Sequence, residues 1–270
     1  MPQTLAAKDM DALVVAKRLL ENPGVAARIA GSLAMPIDRA MALVPAPAQK
    51  TVLAAATKSL EMALDMALRT LGERQQAPSM RSHRIGAALS GAAGGAFGLA
   101  ALAIELPVST TIMLRSIADI ARGEGEDLAL AESRLACLEV FALGGSSKSD
   151  DAAESGYFGV RAALASAITD AARYVATQAT IKDGAPVMVR LVSQIAARFS
   201  IPVTQKAAAQ AVPLVGAAGG ALINTLFIGH FQDVARGHFT VRRLERIYGA
   251  DPVRAAYMSL ELATGSNGQD

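Results

Sequence analysis

The chain has 270 residues, 52% of them hydrophobic and 19% charged, with a formal net charge of +2. That balance excludes a disordered chain and supplies apolar material for one large core or two intimately packed halves. With no basic tract and only 4% aromatic residues, it also excludes a nucleic-acid platform built on cations and stacking rings.

Apolar residues recur at helical spacing almost throughout, and short alternating runs between turns are missing, so every predicted element is a helix. The first covers residues 6–21 and stops at Asn22-Pro23-Gly24. Lys8, Asp9, Asp11, Lys17 and Arg18 interrupt its apolar positions. It therefore lacks the core of a secretory signal, and the expected location is the cytoplasm, or a peripheral position on the cytoplasmic membrane face. A short helix leads to Pro36 and another covers 37–44; Pro45 and Pro47 then introduce a long amphipathic helix that ends at Gly72. Residues 73–82 read as a polar loop. An uncharged stretch over 85–104 is followed by Glu105-Leu106-Pro107 and by further apolar residues to Leu114. The proline predicts a hairpin or bend close to Glu105.

A helix is expected over 127–143, a linker over 144–150, and helices over 157–180 and 186–199. A second uncharged stretch, 207–232, passes into a basic amphipathic segment that closes at Tyr248-Gly249. Asp251-Pro252 starts a last helix, and residues 265–270 read as a flexible tail. The fold class that follows is an all-α, compact multi-helix bundle with two Gly/Ala-rich helical hairpins at its centre. Residues 1–35 would form an N-terminal helical region and 36–264 the main domain.

The two uncharged stretches share wording. Gly91-Ala92-Ala93-Gly94-Gly95 is echoed by Gly216-Ala217-Ala218-Gly219-Gly220, and Asp119-Ile120-Ala121-Arg122-Gly123 by Asp233-Val234-Ala235-Arg236-Gly237, at unequal spacing. Glycine inside a helix costs about 1 kcal/mol relative to alanine, and close approach of another backbone offsets that cost. Gly91 and Gly95, Gly94 and Gly98, and Gly216 and Gly220 stand four apart, the spacing that makes a smooth packing face in membrane helices and tight soluble pairs alike. Both stretches reach the length of about twenty residues that a span needs, and Glu105 opposes a simple span because an intramembrane carboxylate is costly.

The Gly-rich segment with its acid-Leu-Pro, Arg115-Ser116-Ile117-Ala118-Asp119-Ile120-Ala121, the Tyr157-Phe158-Gly159-Val160-Arg161 stretch, Val212-Pro213-Leu214-Val215-Gly216 with Asn224, and the closing His238-Phe239, Arg242-Arg243-Leu244-Glu245 and Tyr248-Gly249 together resemble the EcsC protein family. The likeness covers about residues 40–260. It implies a helical fold and a bacterial setting, and a family name taken from an operon that also encodes an ABC transporter implies a link to transport or secretion. Some relatives carry a peptidase label.

The residues themselves give that label no support. His83, His230 and His238 are the only histidines, and none forms the His-Glu-x-x-His pair that would hold a metal from one helix face, so no metal site and no cofactor is expected. No Gly-x-Ser-x-Gly elbow is present. Gly144-Gly145-Ser146-Ser147-Lys148 lacks the glycine and the feeding strand of a phosphate loop. Cys137, the only cysteine, excludes an internal disulfide and reads as a buried thiol.

Candidate ligand- or partner-binding residues are Glu105, Arg115, Asp119, Arg161, Asn224, Asp233 and His238, with Arg115 and Arg161 expected to pair with Asp119 or Glu105. Arg236, Arg242, Arg243 and Arg246 form a basic run that suits anionic headgroups or, alternatively, a solvated face pairing with Glu245 and Asp251. Three readings stay open. The first is a non-catalytic protein that associates with a membrane surface, lipid or membrane protein through the glycine-rich segments. The others are a hydrolase using Glu105 or His238, and an integral membrane protein.

Overall fold

The computed structural model describes residues 5–21, 46–71, 99–145, 156–178, 184–210 and 216–260. Among these residues there are eight helices and no strands: α1 (Ala7–Leu20), α2 (Ala46–Thr70), α3 (Leu99–Gly123), α4 (Ala131–Leu143), α5 (Gly156–Thr177), α6 (Pro186–Gln210), α7 (Gly216–Tyr248) and α8 (Ala250–Ser259). The expected helices over 24–44, the loop over 73–82, Gly91, Gly94, Gly95 and Gly98, the linker residues 146–150 and the tail lie outside the described residues.

A short helix is the one closed in on all sides. α4 buries Leu135, Ala136, Cys137, Leu138, Val140, Phe141 and Ala142 on all sides, as expected of a helix without a polar face. It packs on α2, α3, α5, α6 and α7. Phe141 meets Phe199 of α6 and Phe231 of α7 with ring centroids 5.0 and 5.5 Å apart. A second, smaller core of Leu13, Tyr157, Val241, Leu244, Val253 and Tyr257 lies where α1 and α8 cover the end of α7. There Gly237 lets α1 come close, since a Cβ at that position would stand 2.9 Å from the Ala16 carbonyl oxygen.

Helix C-termini, with their unpaired carbonyls, recruit cations from neighbouring helices. Arg122 and Arg134 donate to the Leu71 and Leu68 carbonyls at the end of α2, each at 3.0 Å. Lys17 donates to Tyr257 and Leu260 at the end of α8. At the end of α4, Arg198 donates to Ala142 and Gly145, and His230 Nε2 donates to the Gly144 carbonyl at 2.8 Å.

α3 runs through Pro107 as one helix, so no hairpin forms there, and α6 continues through Pro202 to Gln210 instead of ending at Phe199. A proline removes one helical hydrogen bond at a cost of about 3 kcal/mol, and both prolines are buried in the bundle, whose packing on either side offsets the loss. α4 begins at Ala131, later than expected, because residues 124–130 form turns with Gly125 at φ 81°.

α3 and α7, which carry Asp119–Gly123 and its echo Asp233–Gly237, lie side by side and run in the same direction. Gln232 donates to Ser116 at 2.7 Å, and farther along Arg243 donates to Glu124 at 2.7 Å. The shared words make the same local pair, Arg122 to Asp119 and Arg236 to Asp233.

Gly145 sits against the Arg198 carbonyl, where a Cβ would approach to 2.3 Å, whereas a Cβ at Gly159 in α5 meets nothing within 4 Å. Gly145→Ala is therefore expected to cost about 2 kcal/mol through overpacking, and Gly159→Ala to gain up to about 1 kcal/mol from helix propensity. Urea unfolding of the two variants checks the contrast.

Candidate functional site

Three helices place one polar side chain each at a common point. Lys206 of α6 donates to Glu105 of α3 at 2.5 Å and to Asn224 of α7 at 2.8 Å. Lys206 and Glu105 side chains are 0% and 4% exposed, and the ammonium stands 4.9 Å from the centre of the Phe227 ring. Burial pushes the lysine below its ordinary range, and the Glu105 carboxylate opposes that shift. The structure thus brings together two of the sequence candidates, Glu105 and Asn224, through a lysine that the sequence reading did not single out. A signal was present: Glu105 closes the first uncharged stretch and Lys206 immediately precedes the second, and the two are of opposite sign.

A second buried cluster joins α4, α5 and α7. Tyr157 Oη and His238 Nδ1 share a hydrogen bond of 3.0 Å, and His238 Nε2 faces Glu139 Oε2 at 3.7 Å. Glu139, buried on the enclosed helix α4, is raised to about 7 by burial, against the pull of Arg161 and Arg242. His238 is held well below its usual value by burial, then by Arg161 and Arg242. Arg161 does not reach Glu105 or Asp119 as expected; it forms a bidentate pair with Glu245 at 2.7 and 2.9 Å. The reason is position, since α5 packs on α4 and α6, with Arg161 lying over the Tyr157 ring.

The basic run is engaged within the chain. Arg242 and Arg246 both donate to Glu126, which also accepts from Ser133, while Arg243 donates to Glu124 and Asp9. Their partners lie on α1 and on the turn after α3, rather than at Glu245 and Asp251. Burial would raise Glu126, but Arg242 outweighs it and the carboxyl titrates below its ordinary range. Arg115 is half-buried on α3, while Asp119 and Asp233 make the local pairs already described. Gly216 opens α7, and Gly220 is buried one turn later.

Glu105 and His238 do not share a site. Asn224 and His238 are fourteen residues apart on α7, about 21 Å along the axis. Among the described residues no group of three or more His, Cys, Asp or Glu side chains could hold a metal ion. Cys137 is buried, and its thiol is pushed up to about 12, by burial first. An open groove of about 540 Å³ runs between α2 and α6, with Met62, Leu64, Leu68 and Val189 along it and Lys58, Glu61, Asp65 and Arg69 at its rim.

Opposed titrations of Glu139 and His238 make a testable pH signature. Glu139 is raised from 4.5 to about 7 in the fold, so its contribution is complete below pH 4.5 and is lost as pH rises to 7. His238 is lowered from 6.5, so its contribution is complete above 6.5 and is lost as pH falls. Between those limits the two slopes, each at most about 1.4 kcal/mol per pH unit, oppose one another. Glu139→Gln is expected to lose stability as pH falls below 6.5, and His238→Gln to lose it as pH rises from 4.5 to 7. Urea midpoints across that range check both signs against the flatter wild type.

The model of the EcsC protein family matches residues 24–244. Searches of curated proteins and of solved structures give no match. The matched span runs from before α2 to residue 244 of α7 and contains both buried clusters, leaving α1 and α8 outside it. With most of its length inside that match, the chain belongs to the EcsC protein family.

Proposed function

We infer that this EcsC-family protein is a non-catalytic, peripheral membrane-surface protein that docks through the end of the bundle where α3 and α7 begin. The observation that supports this reading is the distribution of charge. Glu105 is the only formal charge over residues 99–114, Lys206 the only one over 199–210, and residues 216–232 carry none with His230 neutral. The acid and the base are buried against each other. That end therefore presents no formal charge from these three stretches, while Ile104, 77% exposed, and Val108 and Leu222 stand out from it.

Exposed apolar side chains on neighbouring helices, beside stretches whose charges are paired and buried, suit contact with a membrane or a partner. No helix among the described residues is long and apolar enough to cross a membrane, which favours docking on the surface over spanning. The ion-paired arginines lie toward the opposite end of α7, so apolar contact rather than headgroup attraction carries the interaction.

Flotation with vesicles of phosphatidylcholine, alone and mixed with phosphatidylserine, tests this. The protein is expected to float with both and to stay bound at high salt. Ile104→Glu combined with Leu222→Glu removes two anchors, each worth about 1.5–3 kcal/mol when buried, and is expected to weaken binding by tenfold or more without changing the urea midpoint. Binding confined to anionic vesicles and abolished by salt would return the role to Arg236, Arg242, Arg243 and Arg246. No binding to either vesicle would overturn the reading.

A further inference from the structure

The Lys206–Glu105–Asn224 cluster stands in a particular relation to the two helix-interior prolines. Glu105 precedes Pro107 by two residues on α3, and Lys206 follows Pro202 by one turn on α6. Proline donates no backbone hydrogen bond, so each helix lacks one rung at that level. The terminal segments of α3 and α6 beyond those rungs hold the acid and the base, and the first turns of α7 hold the amide that accepts from the same ammonium. Behind the cluster lies apolar interior, with Leu106, Val203, Ala207, Ile223 and Phe227 all buried. In front of it stand the exposed Ile104, Val108 and Leu222.

Resting on the membrane-surface reading above, we propose that Lys206, Glu105 and Asn224 form a buried clamp, and that its release lets the terminal segments of α3, α6 and α7 part about Pro107 and Pro202 and offer their apolar interior to acyl chains. In water, parting exposes that interior and is opposed by the hydrophobic effect. Against a bilayer the same surface passes from protein to hydrocarbon, so most of the opposition disappears. The lysine, once free of Glu105, has a four-carbon stem long enough to carry its ammonium to the headgroup layer.

A buried pair that loses one member leaves an uncompensated charge, whereas a pair replaced by apolar groups of similar size leaves none. Those two changes act in opposite directions on a clamp. Glu105→Gln removes the counter-ion, so Lys206 must hold an unmatched charge or give up its proton, and either cost favours the parted state, whereas Glu105→Leu with Lys206→Met favours the closed one.

Amide hydrogen exchange in lipid-free solution reads the clamp separately from vesicle flotation, which reads the docking. With Glu105→Gln, exchange is expected to quicken about tenfold or more over residues 104–110, 203–209 and 219–226 while α4 keeps its wild-type protection, and vesicle binding is expected to rise. In the double variant both quantities are expected to return to wild-type levels or below. Asn224→Ala, a milder lesion, serves if Glu105→Gln does not fold and is expected to quicken exchange in the same three segments. Quickening that extends equally to α4, or no quickening in the terminal segments, would overturn the clamp. Failure of the wild type to float, with the exchange pattern as expected, would overturn the docking alone.

Discussion

Contact between the Lys206 ammonium and the Glu105 carboxylate neutralises the only two formal charges that three helix segments carry at one end of the bundle. Desolvating such a pair is expensive, and its mutual attraction repays that cost only with good geometry and further hydrogen bonds. Here Asn224 supplies an acceptor and the Phe227 ring a favourable face for the cation. The consequence is positional as much as energetic. α3, α6 and α7 must arrive together for the pair and its amide to meet, so the cluster fixes their register.

The opposite end is built on the reverse principle. Glu124, Glu126 and Asp9 are met by Arg242, Arg243 and Arg246 in a partly exposed network that ties α1, the turn after α3 and the last turns of α7. Parallel packing of α3 on α7 connects the two ends, with Ser116 and Gln232 meeting between them. Centrally, α4 is closed in on all sides, and its terminal carbonyls are capped by Arg198 and His230 from the helices that cover it. Charge thus decreases along α3 and α7 from the ionic end toward the glycine-rich end.

The all-helical class was legible because helical periodicity is written into every long segment. The hairpin expected at Pro107 and the helix end expected at Phe199 fail for a physical reason: proline's cost is local, and tertiary packing that offsets it leaves no local trace. Glu105 stood out as a lone acid beside an uncharged stretch, and Asn224 entered through the family resemblance. Their partner could not be identified, because Lys206 is 101 residues from Glu105 and sequence does not say which helices meet. The same limit misassigned Arg161, whose partner Glu245 lies 84 residues away, and hid Glu139, whose significance depends on His238 arriving from another helix. Repeated words on α3 and α7 were visible, but their parallel packing was not.

The central claim is that the end where α3 and α7 begin faces the membrane and the ionic end faces away. Cys137 is buried with its thiol pushed up to about 12, so a cysteine placed at an exposed site takes a thiol dye selectively. Ile104 marks the end where α3 and α7 begin, and Ile247, 52% exposed, marks the ionic one. The direct measurement is fluorescence of dye-labelled Ile104→Cys and Ile247→Cys proteins on phosphatidylcholine vesicles containing brominated acyl chains. Quenching at position 104 and none at 247 is the predicted result; quenching at 247 alone, or equal quenching at both, would contradict the account.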